Sequence, residues 1–450
     1  MTDTNTHTGD CNTNCQPIHI SGPISIETVN INCCCGEKSQ CDGDSTGNTG
    51  NTDNTDNTDN TGVPSRPVII TPPDGSDIRR QSFYASTTDP QGNVIVVGHE
   101  RTATDGDRGL LIKYHSDFTV GTKAYFSPAM RFFGVVADES NIFAVGQSLV
   151  APQTHTFIIK LDTDLNLVSA IKLDLNFLRD LVLHNGELYV SGTAHARGQI
   201  LHLTRDLKLV KGTVIANDAP HIESVGSQLM VKGTTGFTVL DNELEQATRH
   251  TLAGIESLTD VVPAKDGGAW LLGHNQGKNI IAQLNDQFDL VRSFILDSTL
   301  PATSLTQIGE DANEALWLTA EYKTTSDESR RMILSIDKQM AVQSVQSVNT
   351  SAFSDNEFMF FHAYSSPDGD VWMTGQLHSG GSGFLLNQHA LTTENSADKF
   401  ESLDAGEFNL IESTHTLTMS NDMLVENQQP IIDITINISY APVSTADLPG

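Results

Sequence analysis

The feature that most constrains this chain is a five-residue figure that returns seven times. An apolar or aromatic residue stands three places before a small one, and a polar residue closes the figure. The seven copies are Ile95–His99, Phe143–Gln147, Tyr189–Thr193, Met230–Thr234, Trp270–His274, Trp317–Glu321 and Trp372–Gln376. All three tryptophans of the chain occupy its first position. The small residue falls at 98, 146, 192, 233, 273, 320 and 375, in steps of 48, 46, 41, 40, 47 and 55. A period in that range belongs to multi-strand units and is too long for most solenoids.

The surroundings of each copy describe such a unit. An apolar stretch precedes it, as at Phe83-Tyr84-Ala85, Phe132-Phe133-Gly134-Val135 and Leu258-Thr259-Asp260-Val261. A turn rich in Gly, Asn and Asp lies between, as at Lys265-Asp266-Gly267-Gly268, and predicts a hairpin. An apolar third run follows, for example Phe157–Leu161 or Ile280–Leu284, then an Asp or Asn turn and a more polar fourth run. Four strands per unit and seven units predict an all-β chain folded as a seven-bladed β-propeller. The glycine is expected to let neighbouring sheets approach, with the aromatic three places earlier filling the wedge between them.

These residues resemble the broad class of propeller repeats in which an Asp-Gly-x turn precedes a V-x-G strand. The resemblance covers all seven units and implies the fold alone, because propellers carry many functions. The Trp-Asp ending of WD40 blades is absent. Ser366–Trp372 resembles the Asp-box of sialidase-type propellers, one residue short, and that motif is a structural turn. The arginine cluster and tyrosine nucleophile of retaining sialidases have no counterpart here.

The repeat occupies residues 66 to about 395. An N-terminal arm (1–46), a linker (47–65) and a C-terminal β tail (396–450) flank it. All six cysteines, Cys11, Cys15, Cys33, Cys34, Cys35 and Cys41, lie in the arm. Three uses of them compete: disulfides within the arm or between copies, zinc or another soft metal, and free thiols. Residues 18–31 alternate as a half-buried strand does. The linker repeats Asp-Asn-Thr and has nothing apolar to bury. The tail alternates again at Thr414–Met419 and Ile432–Tyr440. The two arms are expected to pair with each other or with a neighbouring copy; the alternative is that the tail packs on the propeller's own edge.

Net charge is −30, and residues 1–62 and 396–450 each carry nine acidic side chains against one lysine. That surface repels phosphate, so a nucleic-acid partner is excluded. There is no apolar run long enough to span a membrane and no apolar leader, so no membrane span and no cleaved signal are expected. No phosphate loop, nucleophile elbow or His-Glu-x-x-His occurs. Long polar loops after the figure make one rim a recognition face. His99, Gln147, His274, Glu321 and Gln376 stand where those loops begin. The chain is therefore expected to be a non-enzymatic structural and display subunit of an extracellular particle or cell surface. Its partners would be copies of itself or other virion or appendage proteins, held through the arms, and a host glycan. The acidic, Asn/Thr/Asp-rich character resembles phage virion fibre, tail or decoration proteins. A self-assembling appendage subunit is the second expectation, and a propeller enzyme acting on glycans the third.

Overall fold

The structure is a computed structural model that describes residues 68–69, most of 78–423, and 440–442. The chain divides into two units, Met1–Asp59 and Asn60–Gly450. The six cysteines, the alternating stretch at 18–31, the Asp-Asn-Thr linker and Ile432–Ser439 lie outside the described residues.

The second unit carries seven sheets, one for each copy of the figure. Blade 1 contains Ile78–Thr88, Val94–Thr102, Gly106–Tyr114 and Val120–Phe126, each antiparallel to the next. Blades 2 to 6 repeat that meander, with inner strands Met130–Ala137, Phe177–His184, His221–Val225, Ser257–Pro263 and Ser304–Glu310. Blade 7 takes only three consecutive strands, Phe358–Ser365, Val371–Leu377 and Gly383–Asn387. Its outer strand comes from the other end of the propeller: Val68 pairs with Leu385 and Ile69 with Phe384. The last blade is thus closed by the first strand.

The core lies between the blades. The buried apolar residues form seven clusters, and each draws on two adjacent blades. One of them joins Trp372 and Leu385 of blade 7 to Phe83, Leu110 and Tyr114 of blade 1, which completes the ring. Trp270, Trp317 and Trp372 are 2%, 9% and 3% exposed and sit in equivalent places, each in a cluster shared with the following blade. Their burial follows from area: a fully buried large apolar side chain contributes roughly 1.5–3 kcal/mol.

The glycine of the figure has a different role from the expected one. A Cβ at Gly98 would lie 1.8 Å from the carbonyl oxygen of Ser82, in the inner strand of the same blade. At Gly146 it would meet the Arg131 carbonyl at 2.3 Å, and at Gly375 the Met359 carbonyl at 1.9 Å. The close approach is within a blade, not between blades. Phe83 faces Gly98 and Ala85 faces Val97, so Tyr84 is an extra residue in the inner strand. The same bulge follows the residue facing Gly146, Gly192, Gly273, Ala320 and Gly375. The small residue is the seat of an inner-strand bulge, a device that re-aims a side chain.

The tail pairs with the propeller's own edges. Phe400–Leu403 adds a fifth strand to blade 6, Phe408–Glu412 to blade 5, Met419–Met423 to blade 4 and Tyr440–Pro442 to blade 1. The chain returns around the perimeter against the order in which the blades were laid down, covering edges that would otherwise offer unpaired backbone groups. For these segments packing on the edge, the alternative named above, is the arrangement found.

Candidate functional site

The bulges decide what lines the central channel. The bulged residues are Tyr84 in blade 1, Phe133 in blade 2, Arg179 in blade 3, Thr259 in blade 5, Thr306 in blade 6 and Phe361 in blade 7. All six border one cavity of about 500 Å³, within the usual range for small-molecule sites. Five of the six, all but Tyr84, lie in the first half of their strands. The cavity therefore occupies the half of the channel nearest the second-to-third turns and the inter-blade links.

The cavity has two unlike walls. Blades 7, 1 and 2 supply an aromatic one. Tyr84 lies 5.3 Å from Phe133 and 5.1 Å from Phe361, ring centre to ring centre, and Phe133 lies 4.9 Å from Phe177. Blades 3 to 6 supply a polar one with Arg179, Asp180, His221, Lys232, Asp260 and Gln307. At its centre His221 is held from both sides: Nδ1 is 2.6 Å from an Asp180 oxygen and Nε2 is 3.0 Å from a Glu223 oxygen. Burial opposes a charge on the imidazole, but the two carboxylates outweigh it and hold His221 well above its ordinary range. His221 is therefore a cation at neutral pH. Burial also pushes Asp180 up, yet the His221 charge and hydrogen bond leave its carboxyl below the usual range. Glu223 and Asp260 are raised, chiefly by burial.

Several of these acids also tie blades together. Asp180 accepts a hydrogen bond from the amide of Ile222 in the next blade at 3.2 Å, and Asp260 accepts one from Ile308 at 3.0 Å. Both follow the bulge directly. The corresponding residues of blades 6 and 7 are Gln307 and His362. There Oε1 of Gln307 and Nδ1 of His362 are buried with no hydrogen-bond partner among the described residues. Burial brings His362 down to about 4, so its ring is neutral. Arg179 is exposed and makes no ion pair among the described residues.

The residues singled out from sequence all lie within second strands, not in the loops beyond. His99 is 1% exposed and stacks on Tyr84, centroids 5.6 Å apart and planes within 9°. It forms a second layer behind the aromatic wall, and burial, helped by the Arg131 charge, takes its imidazole down to about 3. Gln376 is fully buried, and its Oε1 accepts from Arg80 at 3.1 Å and Ser82 at 2.7 Å, bridging blades 7 and 1. Gln147, His274 and Glu321 are half-buried; His274 Nε2 is 3.3 Å from the Ser304 hydroxyl, and Glu321 pairs with Arg331. The structure does not gather the five into one cluster. The channel residues were missed, although an isolated glycine in a strand signals a bulge, and the residue beyond the one facing it points inward. The cysteines proposed for metal or disulfides lie outside the described residues, and no group of three or more metal-ligating side chains is placed to hold an ion among the described ones. No helix among the described residues is long and apolar enough to cross a membrane.

No protein-family model matches the chain, and no curated protein matches it. Solved propellers do. The β-propeller domain of the Trilobed protease from Pyrococcus furiosus is 8% identical, over 71% of this chain and 98% of that one, with a TM-score of 0.46. YCF48 bound to D1 peptide is 14% identical over 71% and 97%, with a TM-score of 0.45. The Pan2 WD40 domain of Neurospora crassa is 9% identical over 74% and 97%, with a TM-score of 0.44.

Proposed function

We propose that this chain is a non-enzymatic display subunit of an extracellular assembly: a propeller head that binds a ligand, carried on an N-terminal arm that anchors it. A phage virion fibre, tail or decoration protein is the leading setting, and a cell-surface appendage subunit the second. The carrying observation is the division of labour along the chain. The ring contains no cysteine, closes on its own first strand and has the edges of blades 1, 4, 5 and 6 covered by its own tail. A head with four of its seven blade edges covered offers fewer templates for joining other copies. The separate N-terminal unit holds all six thiols, so assembly falls to Cys11, Cys15, Cys33, Cys34, Cys35 and Cys41, through disulfides or a soft metal such as zinc. The partners are other copies or other proteins of the particle, and a host surface glycan at the head.

Light scattering tests this. The full chain should form oligomers that a reductant or a chelator weakens, and a chain beginning at Gly62 should remain monomeric. Equal assembly by both chains would refute the anchoring role. The half-buried carboxylates Glu223 and Asp260 favour a second reading, an enzyme acting on glycans, which needs protonatable carboxyl groups. Their engagement with His221 and the Ile308 amide favours binding instead. Release of reducing sugar from a bound oligosaccharide would decide for the enzyme.

A further inference from the structure

The cavity's two walls have a chemical meaning together. The aromatic one, Tyr84 with Phe133 and Phe361, is a continuous apolar platform within a polar channel. Such a platform takes a flat or ring-shaped group by its C–H or π face. Opposite it, the charges are unequally committed. His221 is taken up by Asp180 and Glu223, and Asp260 by the Ile308 amide. Arg179 remains exposed in the same cavity without an ion pair among the described residues. A guanidinium presents a planar fork of donors that fits a carboxylate with two parallel hydrogen bonds. Gln307 and His362 also line the cavity, and each has a buried polar atom, Oε1 and Nδ1, with no hydrogen-bond partner among the described residues. Unmet polar atoms of that kind call for hydroxyl or amide donors from a ligand or for water.

We propose that the channel binds an acidic sugar, a single pyranose bearing a carboxylate, with its apolar face on Tyr84, Phe133 and Phe361, its carboxylate on Arg179 and its hydroxyls on Gln307 and His362. The cavity of about 500 Å³ holds one such ring with room for a linkage to the next. The inference rests on the reading that the head binds a surface glycan, and it names the sugar class and the residues. Arg179 sets the preference for acid over neutral sugars, and the aromatic platform sets the preference for a sugar at all.

The test is calorimetric titration of the full chain with N-acetylneuraminic acid and glucuronic acid, against glucose and N-acetylglucosamine. At least one acidic sugar should bind at least tenfold more tightly than either neutral one. Arg179→Gln should weaken that acid at least tenfold and leave the neutral sugars within twofold. The side chain is exposed and has no ion pair among the described residues, so this change should leave the melting curve in place. Tyr84→Leu, which keeps an apolar side chain but no ring, should weaken acidic and neutral sugars alike. Absence of saturable binding by both acids, equal binding by a neutral sugar, or an Arg179→Gln protein that binds the acid as before would each overturn the proposal. Loss of oligomers on removing the arm would stand regardless, so a failure here is separable from a failure of the display reading.

Discussion

Two glycines with the same backbone conformation separate conformational strain from steric exclusion. Gly369 (φ +91°) and Gly277 (φ +75°) are both left-handed. A Cβ at Gly369 would lie 2.2 Å from the Cβ of Ala312, whose amide donates to the Gly369 carbonyl at 2.9 Å, whereas one at Gly277 would meet nothing within 4 Å. Gly277→Ala should therefore cost roughly 1 kcal/mol, the left-handed penalty alone. Gly369→Ala should cost at least about 1–3 kcal/mol more, because an overpacked contact must also yield. Denaturant unfolding of both variants measures the gap; equal costs would mean that the Ala312 contact gives way freely. His99 carries a pH signature. Its folded value, near 3, lies below the ordinary 6.5, so the unfolded chain binds the proton first as pH falls. That contribution to stability is present above about pH 6.5 and is lost progressively down to about pH 3, at up to about 1.4 kcal/mol per pH unit. His99→Phe, which keeps the stack on Tyr84 and cannot titrate, should flatten the decline between pH 6.5 and 3.5. An unchanged slope would show that other groups carry it.

The turn after the third strand has its own repeated grammar. Asp162, Thr204, Asp241, Asn285 and Asp337 each open a turn, and the residue three places on has positive φ and is buried: Leu165, Leu207, Leu244, Phe288 and Met340. Bulky side chains are rarely found there. In blade 3 the Thr204 hydroxyl accepts from the amides of Asp206 and Lys208, at 3.3 and 3.2 Å, while the Leu207 amide donates to the Thr204 carbonyl at 2.9 Å. Burial of the apolar side chain offsets the strain. Leu207→Ala should cost about 2–4 kcal/mol, and Leu207→Gly should be no worse, since it relieves about 1 kcal/mol of left-handed strain. If Gly proves worse than Ala by more than about 1 kcal/mol, as in an ordinary strand, the strain is not stored there. At this scale the sequence was informative in an uneven way. The second strand was legible in all seven copies because its figure is fixed by steric need, and the tryptophans because three successive blade interfaces demand bulk at the same place. The bulge was hidden because its evidence, a glycine, sits on the partner strand. The channel side chains could not be read at all: their positions repeat but their identities do not, running from Tyr84 to Arg179 to Thr306.

At the scale of the whole molecule, both flanks of the repeat are stitched into the ring, and cutting each should have a local effect. A chain ending at Lys399 loses the fifth strands of blades 1, 4, 5 and 6. Amide exchange should then rise in Val120–Phe126, Ala247–Leu252, Leu290–Ser298 and Val342–Val348, with the inner strands still protected, because only outer edges lose backbone hydrogen-bond partners. The other cut concerns closure. Blade 7 owns three strands and borrows Val68–Ile69, and the cluster behind that pairing joins Leu385 and Trp372 to Phe83 in blade 1. A ring whose blades each contact two neighbours is weakest where its ends meet, since there the first strand is held to the rest of blade 7 by backbone pairing alone. A chain beginning at Gly62 keeps the closing strand and should melt within about 2 °C of the full chain, given that roughly 1 kcal/mol corresponds to a few degrees at this size. A chain beginning at Thr71 lacks it. Its melting temperature should fall below that of the Gly62 chain, and the amides of Gly383–Asn387 should exchange faster while those of blades 3 and 4 do not. Identical melting and exchange in the two chains would mean that the side-chain cluster alone holds the seam, and that the first strand closes the ring in form only.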